Sequence, residues 1–200
     1  MPYIAKEDRK KYIFVIENTV DLICSEKDKH AQLETLAFFV DHLRQKLDHG
    51  YPSFKIDFLD PNQKEQLLEN INHFISLFPE NDLFKLAGEL NYILSSVIWG
   101  VLGDSLSAEP ARYGYRTFIK GILWTIYHGI NGAASDRLVI VLRGVFTDVI
   151  DEMYRRKTSV YENEKIAQNG DIWPLKEIAW KEEVPIDVIR GEEFKEEQES

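Results

Sequence analysis

Residues 83–101 read LFKLAGELNYILSSVIWGV, and Leu83, Leu86, Leu90, Ile93, Val97 and Val101 recur at steps of three and four. That spacing lays six apolar side chains along one stripe of an α-helix and does not fit the alternation of a half-buried strand. Outward from this stretch the period repeats. On the N-terminal side, Leu67, Ile71, Phe74 and Phe78 mark a helix opened by Pro61 and closed by Pro79. Leu33, Leu36, Val40, Leu43 and Leu47 predict a helix over 29–48, and Ile13, Ile16, Val20 and Ile23 one over 6–25. On the C-terminal side, Tyr115, Phe118, Ile122 and Ile126 mark a helix stopped near Gly129–Gly132. Leu138, Leu142, Val145, Val149 and Met153 mark another, capped by Ser135 or Asp136. Strand-like alternation is confined to 54–58 and 184–189, each short and near a proline, and both read as extended loops. The expectation is an all-α bundle of about six helices in one domain over 1–172, followed by an extended acidic tail or docking arm over 173–200.

Composition narrows the function classes. Two hundred residues with 44% hydrophobic content suffice for a real core and exclude a disordered chain. Twenty-four Lys and Arg against 34 Asp and Glu leave a net charge of −10, which makes nucleic acid an unfavourable partner. Half of that charge lies in 181–200, where eight acids stand against three bases. Trp173, Trp180, Ile186, Val188 and Ile189 give the tail 173–200 apolar side chains with which to dock on this chain or on a protein partner. Arg155, Arg156 and Lys157 form a local basic exception. The single cysteine, Cys24, rules out an intramolecular disulfide. No apolar run follows the charged segment Lys6–Lys11, so no signal peptide is expected and the location expected is the cytoplasm. The stretch 118–130 reads as the most apolar; it carries Lys120 and His128 and falls short of the roughly 20 residues that span a bilayer, so no membrane association is expected.

The sequence has no phosphate-cradling glycine loop and no HExxH, CxxC or GxSxG motif. The polar residues that invite chemistry lie on two helices. At 100° per residue, Asp148 and Glu152 flank the apolar stripe that ends at Met153, and Arg156 falls on it. A guanidinium there needs a carboxylate, because an unpaired buried charge is very costly. Glu152 stands four residues before it in the favourable acid-first order, and Asp151–Arg155 forms a second such pair. Glu89 and Asn91 stand at the edges of the 83–101 stripe. Two readings compete. In one, Glu89, Asp148 and Glu152 hold Mg²⁺ between facing helices, as in all-helical nucleotide pyrophosphohydrolases, with Arg156 or Lys165 toward phosphate. In the other, the acids form a structural ion-pair network around Arg156. Charge balance favours the second, since a guanidinium is a poor neighbour for a cation. No cofactor is expected and no catalytic residue is assigned.

Three blocks resemble a known family. They are Met1-Pro2-Tyr3-Ile4 with Glu7-Asp8-Arg9, then Gly88-Glu89-Leu90-Asn91-Tyr92, then Tyr154-Arg155-Arg156 followed by Tyr161-Glu162, Lys165 and Asn169-Gly170-Asp171-Ile172. The chain is similar in these to a family of small uncharacterised proteins of bacteria, archaea and phages. Val160 replaces the usual proline of the last block, residues 26–80 look like helices added to shorter relatives, and 173–200 run past the usual end. The resemblance implies a shared helical core with no assigned activity. It groups Glu89, Glu152, Arg156, Tyr161 and Asp171 in one unit.

The first functional expectation is a non-enzymatic protein that associates as a homo-oligomer. Trp99, Tyr113, Tyr115, Trp124 and Tyr127 are more rings than one small bundle needs on two helices. The alternatives are the Mg²⁺-dependent nucleotide or phosphoester hydrolase and a phage-derived accessory protein that binds a host protein through the acidic tail.

Overall fold

A computed structural model describes residues 4–26, 28–54, 59–105, 111–133 and 135–155. Six helices carry them: α1 (Lys6–Cys24), α2 (Lys29–Asp48), α3 (Pro61–Leu77), α4 (Leu83–Ser105), α5 (Ala111–Gly129) and α6 (Arg137–Met153). Among the described residues there is no strand. The fold is the expected all-α bundle. Four of the helices start behind an aspartate whose carboxylate accepts a first-turn N–H: Asp28 from Ala31, Asp60 from Asn62 and Gln63, Asp82 from Lys85, and Asp136 from Leu138. Each such cap satisfies a donor the helix itself cannot and is worth about 1 kcal/mol. At its far end α2 closes on His49, which adopts the left-handed conformation at φ 53° and donates its N–H to Gln45 O.

Side-chain contacts give the directions. Asp8 meets Lys85 at 3.7 Å, Arg9 lies over the Tyr92 ring and Val20 faces Gly100, so α1 and α4 run parallel. Tyr12 packs on Phe74 and Phe78, while Gln63 Nε2 donates to Leu22 O at 3.3 Å, so α3 runs against α1. Gln32 Nε2 donates to Cys24 O and Glu26 O. Two glutamines, one from α2 and one from α3, thus receive the last carbonyls of α1, and α2 and α3 start at the same end. His30 meets Phe118, and Arg44 reaches Gly129, so α2 and α5 are parallel. Arg143 of α6 lies over Tyr127 of α5 as the two run back to back. Helix α4 packs between α1 and α6.

Helix α4, rather than 118–130, is the most apolar described element; residues 83–103 are long and apolar enough to cross a membrane by length and composition. Its apolar side chains have partners in the bundle. Leu90, Ile93, Leu94, Val97, Ile98 and Val101 are buried together with Tyr12, Phe39, Phe74 and Phe146. Gly100 lets α1 approach: a Cβ there would stand 2.6 and 2.9 Å from the two methyls of Val20. A β-branched valine cannot swing aside, whereas a Cβ on Gly144 of α6 would meet nothing within 4 Å.

Gly100→Ala is therefore expected to lower stability by about 1–2 kcal/mol, overpacking outweighing the gain in helix propensity. Gly144→Ala should raise it by up to about 1 kcal/mol. Urea midpoints of the two variants against the parent check the pair.

Candidate functional site

Two buried charge clusters dominate the interior. The first is built on Glu89. The carboxylate lies on the face of α4 that meets α1, and its residue has 0% exposure. Lys11 Nζ donates to Oε1 at 2.6 Å and Tyr12 OH donates to Oε2 at 2.7 Å. Lys11 Nζ also donates to Leu77 O at 3.2 Å. That carbonyl belongs to the last turn of α3, where no helical N–H is left to receive it. One ammonium thus neutralises a buried acid and finishes a helix end. Burial, then the hydrogen bond to Glu89 and its charge, then the charge of Asp8, push the Tyr12 hydroxyl well above its ordinary range.

The second cluster is built on Arg44, whose side chain is wholly buried. Its guanidinium pairs with Asp41 and, at 3.1 Å, with Asp48, one turn to either side on α2. It donates as well to Tyr51 O at 2.7 Å, Ser53 Oγ at 3.1 Å and Gly129 O at 3.2 Å. The two acids do not stop at the arginine. Asp41 accepts the N–H groups of Ser53 and Phe54, and Asp48 those of Gly50 and, from beyond α5, Asn131. A Cβ on Gly129 would run into the Ser53 hydroxyl, so a side chain there would displace Ser53 Oγ from Arg44. Beside this cluster, His42 stacks on Phe38 with centroids 3.8 Å apart and places Nδ1 3.0 Å from Phe38 O. Burial is the largest effect on this imidazole and lowers its pKa.

The residues singled out from sequence are dispersed. Glu89 turns to α1, not to α6. Asn91 is buried and accepts from Ser95 Oγ at 3.2 Å, while its Nδ2 has no partner. Asp148 is exposed. Glu152 is buried and takes two hydrogen bonds from Arg155, at 2.8 and 2.9 Å. This corrects the expected Asp151–Arg155 pair: Asp151 lies in water, and the guanidinium goes to the carboxylate that burial has stripped of solvent. Phe84 of α4 and Ile140 of α6 line one cleft, so these helices start level. Glu89 is then about 8 Å along, five residues at 1.5 Å, and Glu152 about 18 Å along, twelve residues. The convergence of Glu89, Asp148 and Glu152 is accordingly not found. Among the described residues no three His, Cys, Asp or Glu side chains gather as a cation requires. Arg156, Tyr161, Lys165 and Asp171, and the tail 173–200, lie outside the described residues, as do most of 54–58 and all of 184–189.

Sequence reading missed Lys11, Tyr12, Asp41, Arg44 and Asp48. For Arg44 there was a signal: it follows Val40 by four and precedes Leu47 by three, a charge set beside the apolar stripe of α2.

A family model described as a domain of unknown function (DUF6899) matches residues 1–172. No curated protein and no solved structure matches the chain.

Removing the guanidinium would strand two buried acids, so Arg44→Met is expected to cost about 3–5 kcal/mol, read from denaturant unfolding. For Tyr12 the sign follows from a raised native pKa. The unfolded phenol ionises near pH 10 while the native one holds its proton, so the stability it confers is complete below about pH 10 and falls as pH rises further. Unfolding midpoints between neutral pH and pH 11 should drop more steeply for the parent than for Tyr12→Phe.

Proposed function

The chain belongs to the DUF6899 family, a domain of unknown function, and we propose from its own surface that it is a non-enzymatic cytoplasmic protein that works by associating with copies of itself. The observation that carries this reading is a set of large apolar side chains left on outer helix faces: Phe14 of α1, Phe84 of α4, Phe118 and Trp124 of α5, and Ile140 of α6. Single exposed apolar residues are ordinary; rings and branched chains concentrated on several helices are what an interface core uses. The rings of α4 and α5 are partly accounted for inside the chain. Tyr115 and Trp99 pack against the core, and Trp124 meets the edge of Tyr127 at 5.2 Å and stacks on His128 at 5.8 Å. Those contacts hold the Trp124 ring in place without covering it, which lowers the entropy it would lose on binding. The two charge clusters fit the same reading. Each is closed on itself and acts on the register of the bundle.

Sedimentation of the full chain over a wide concentration range is the test. A mass at least twice 23.3 kDa is expected, and it should persist in a chain ending at residue 172, because the exposed side chains named here all precede that point. A strict monomer at the highest concentration ends the reading.

A further inference from the structure

The starts of α4 and α6 enclose an open cleft of about 410 Å³ lined by Asn81, Asp82, Leu83, Phe84, Arg137, Ile140 and Val141. Phe84 forms one wall and is 89% exposed; Ile140 forms the other and is 56% exposed. We propose, on the reading that the chain self-associates, that this cleft is the contact surface of a two-fold dimer, in which each copy sets its Phe84 ring into the cleft of the other.

Three features select a second copy as the occupant. First, the patch carries both halves of a packing contact. An exposed benzyl ring stands beside a hollow that Leu83 and Val141 also line, and a two-fold axis requires both a knob and a hollow of a self-complementary surface. Second, the rim carries both signs of charge. Arg137 is exposed and has no ion-pair partner among the described residues. Asp82 is exposed and spends one carboxylate oxygen on the Lys85 N–H. Across a two-fold axis Arg137 of each copy meets Asp82 of the other, so one surface supplies two complementary pairs. A foreign anion or cation would satisfy one of these rim charges and oppose the other. Third, both helix starts already carry a carboxylate: Asp82 and Asp136 each take one first-turn N–H, of α4 and of α6, which opposes a foreign anion there.

The test uses the full chain in sedimentation velocity, with helical circular dichroism as the check on folding. Phe84 touches little of its own chain, so Phe84→Asp keeps the helical signal and is expected to give a monomer at concentrations where the parent is dimeric. Arg137→Asp and Asp82→Lys each place like charges face to face on both sides of the axis and should weaken the dimer about tenfold or more. Mixed in equal amounts, those two variants should recover a dimer, because a pair made of one of each has opposite charges at both contacts. A dimer that survives Phe84→Asp overturns this inference and leaves self-association standing on another face. Recovery failing in the mixture overturns the two-fold pairing, and a monomeric parent overturns both the inference and the reading beneath it.

Discussion

Glu89 is an ionisable side chain with no exposure at the junction of three helices, and its charge can remain there because Lys11 and Tyr12 reach it from α1. A carboxylate in that setting without partners would cost several kcal/mol. The requirement works as a gauge of register. A slip of α1 by one turn along α4, about 5.4 Å, would carry both donors out of hydrogen-bond range. The same slip would move Val20 off Gly100 and part Asp8 from Lys85. Lys11 also receives the last carbonyl of α3, so one polar knot aligns α1, α3 and α4 where apolar packing alone would tolerate sliding.

The Arg44 cluster answers a different need, set by chain direction. Helices α2 and α3 point the same way, since Gln32 near the start of one and Gln63 near the start of the other both bond to the end of α1. The end of α2 and the start of α3 therefore lie at opposite ends of the bundle. The departing backbone has polar groups that no helix receives, and Asp41, Arg44 and Asp48 receive them: the N–H groups of Gly50, Ser53 and Phe54 and the carbonyl of Tyr51. Gly129 O and the Asn131 N–H tie the same knot to the turn between α5 and α6. Three charged side chains at i, i+3 and i+7 on α2 thus serve as the fixed point for a connection and for a neighbouring hairpin.

The helices were legible from sequence because periodicity and stop signals are local; the range 29–48 read for α2 is the range found. The polar interior was legible only in part. Spacing tells which side of a helix a residue occupies, so Glu89 stood out, but it does not tell which neighbour that side will meet. The partner expected on α6 is replaced by Lys11 and Tyr12 on a parallel helix, 78 and 77 residues away. Arg44 was hidden by its surroundings. Leu33, Leu36, Val40, Leu43 and Leu47 read as an unbroken apolar seam, and the demand for a buried partner that was applied to Arg156 applies equally to a guanidinium lodged between Val40 and Leu47. On α6 the local pairing rule chose the wrong acid, because it weighs spacing and not solvation. Arg155 follows burial to Glu152.

The parallel course of α4 and α6 has one more consequence, at the surface. Two helices that begin level place two N-termini side by side, an arrangement that would ordinarily attract an anion. Here both starts are already capped by aspartates, so part of that positive end is neutralised within the chain. Within the first turn past each cap Phe84 and Ile140 face outward, and a side chain so placed gains little from the bundle's own core. Burial of such a ring elsewhere is worth about 2 kcal/mol. The topology that seals Glu89 inside thus leaves an apolar edge at the same end of α4, and only something outside the described bundle can cover it.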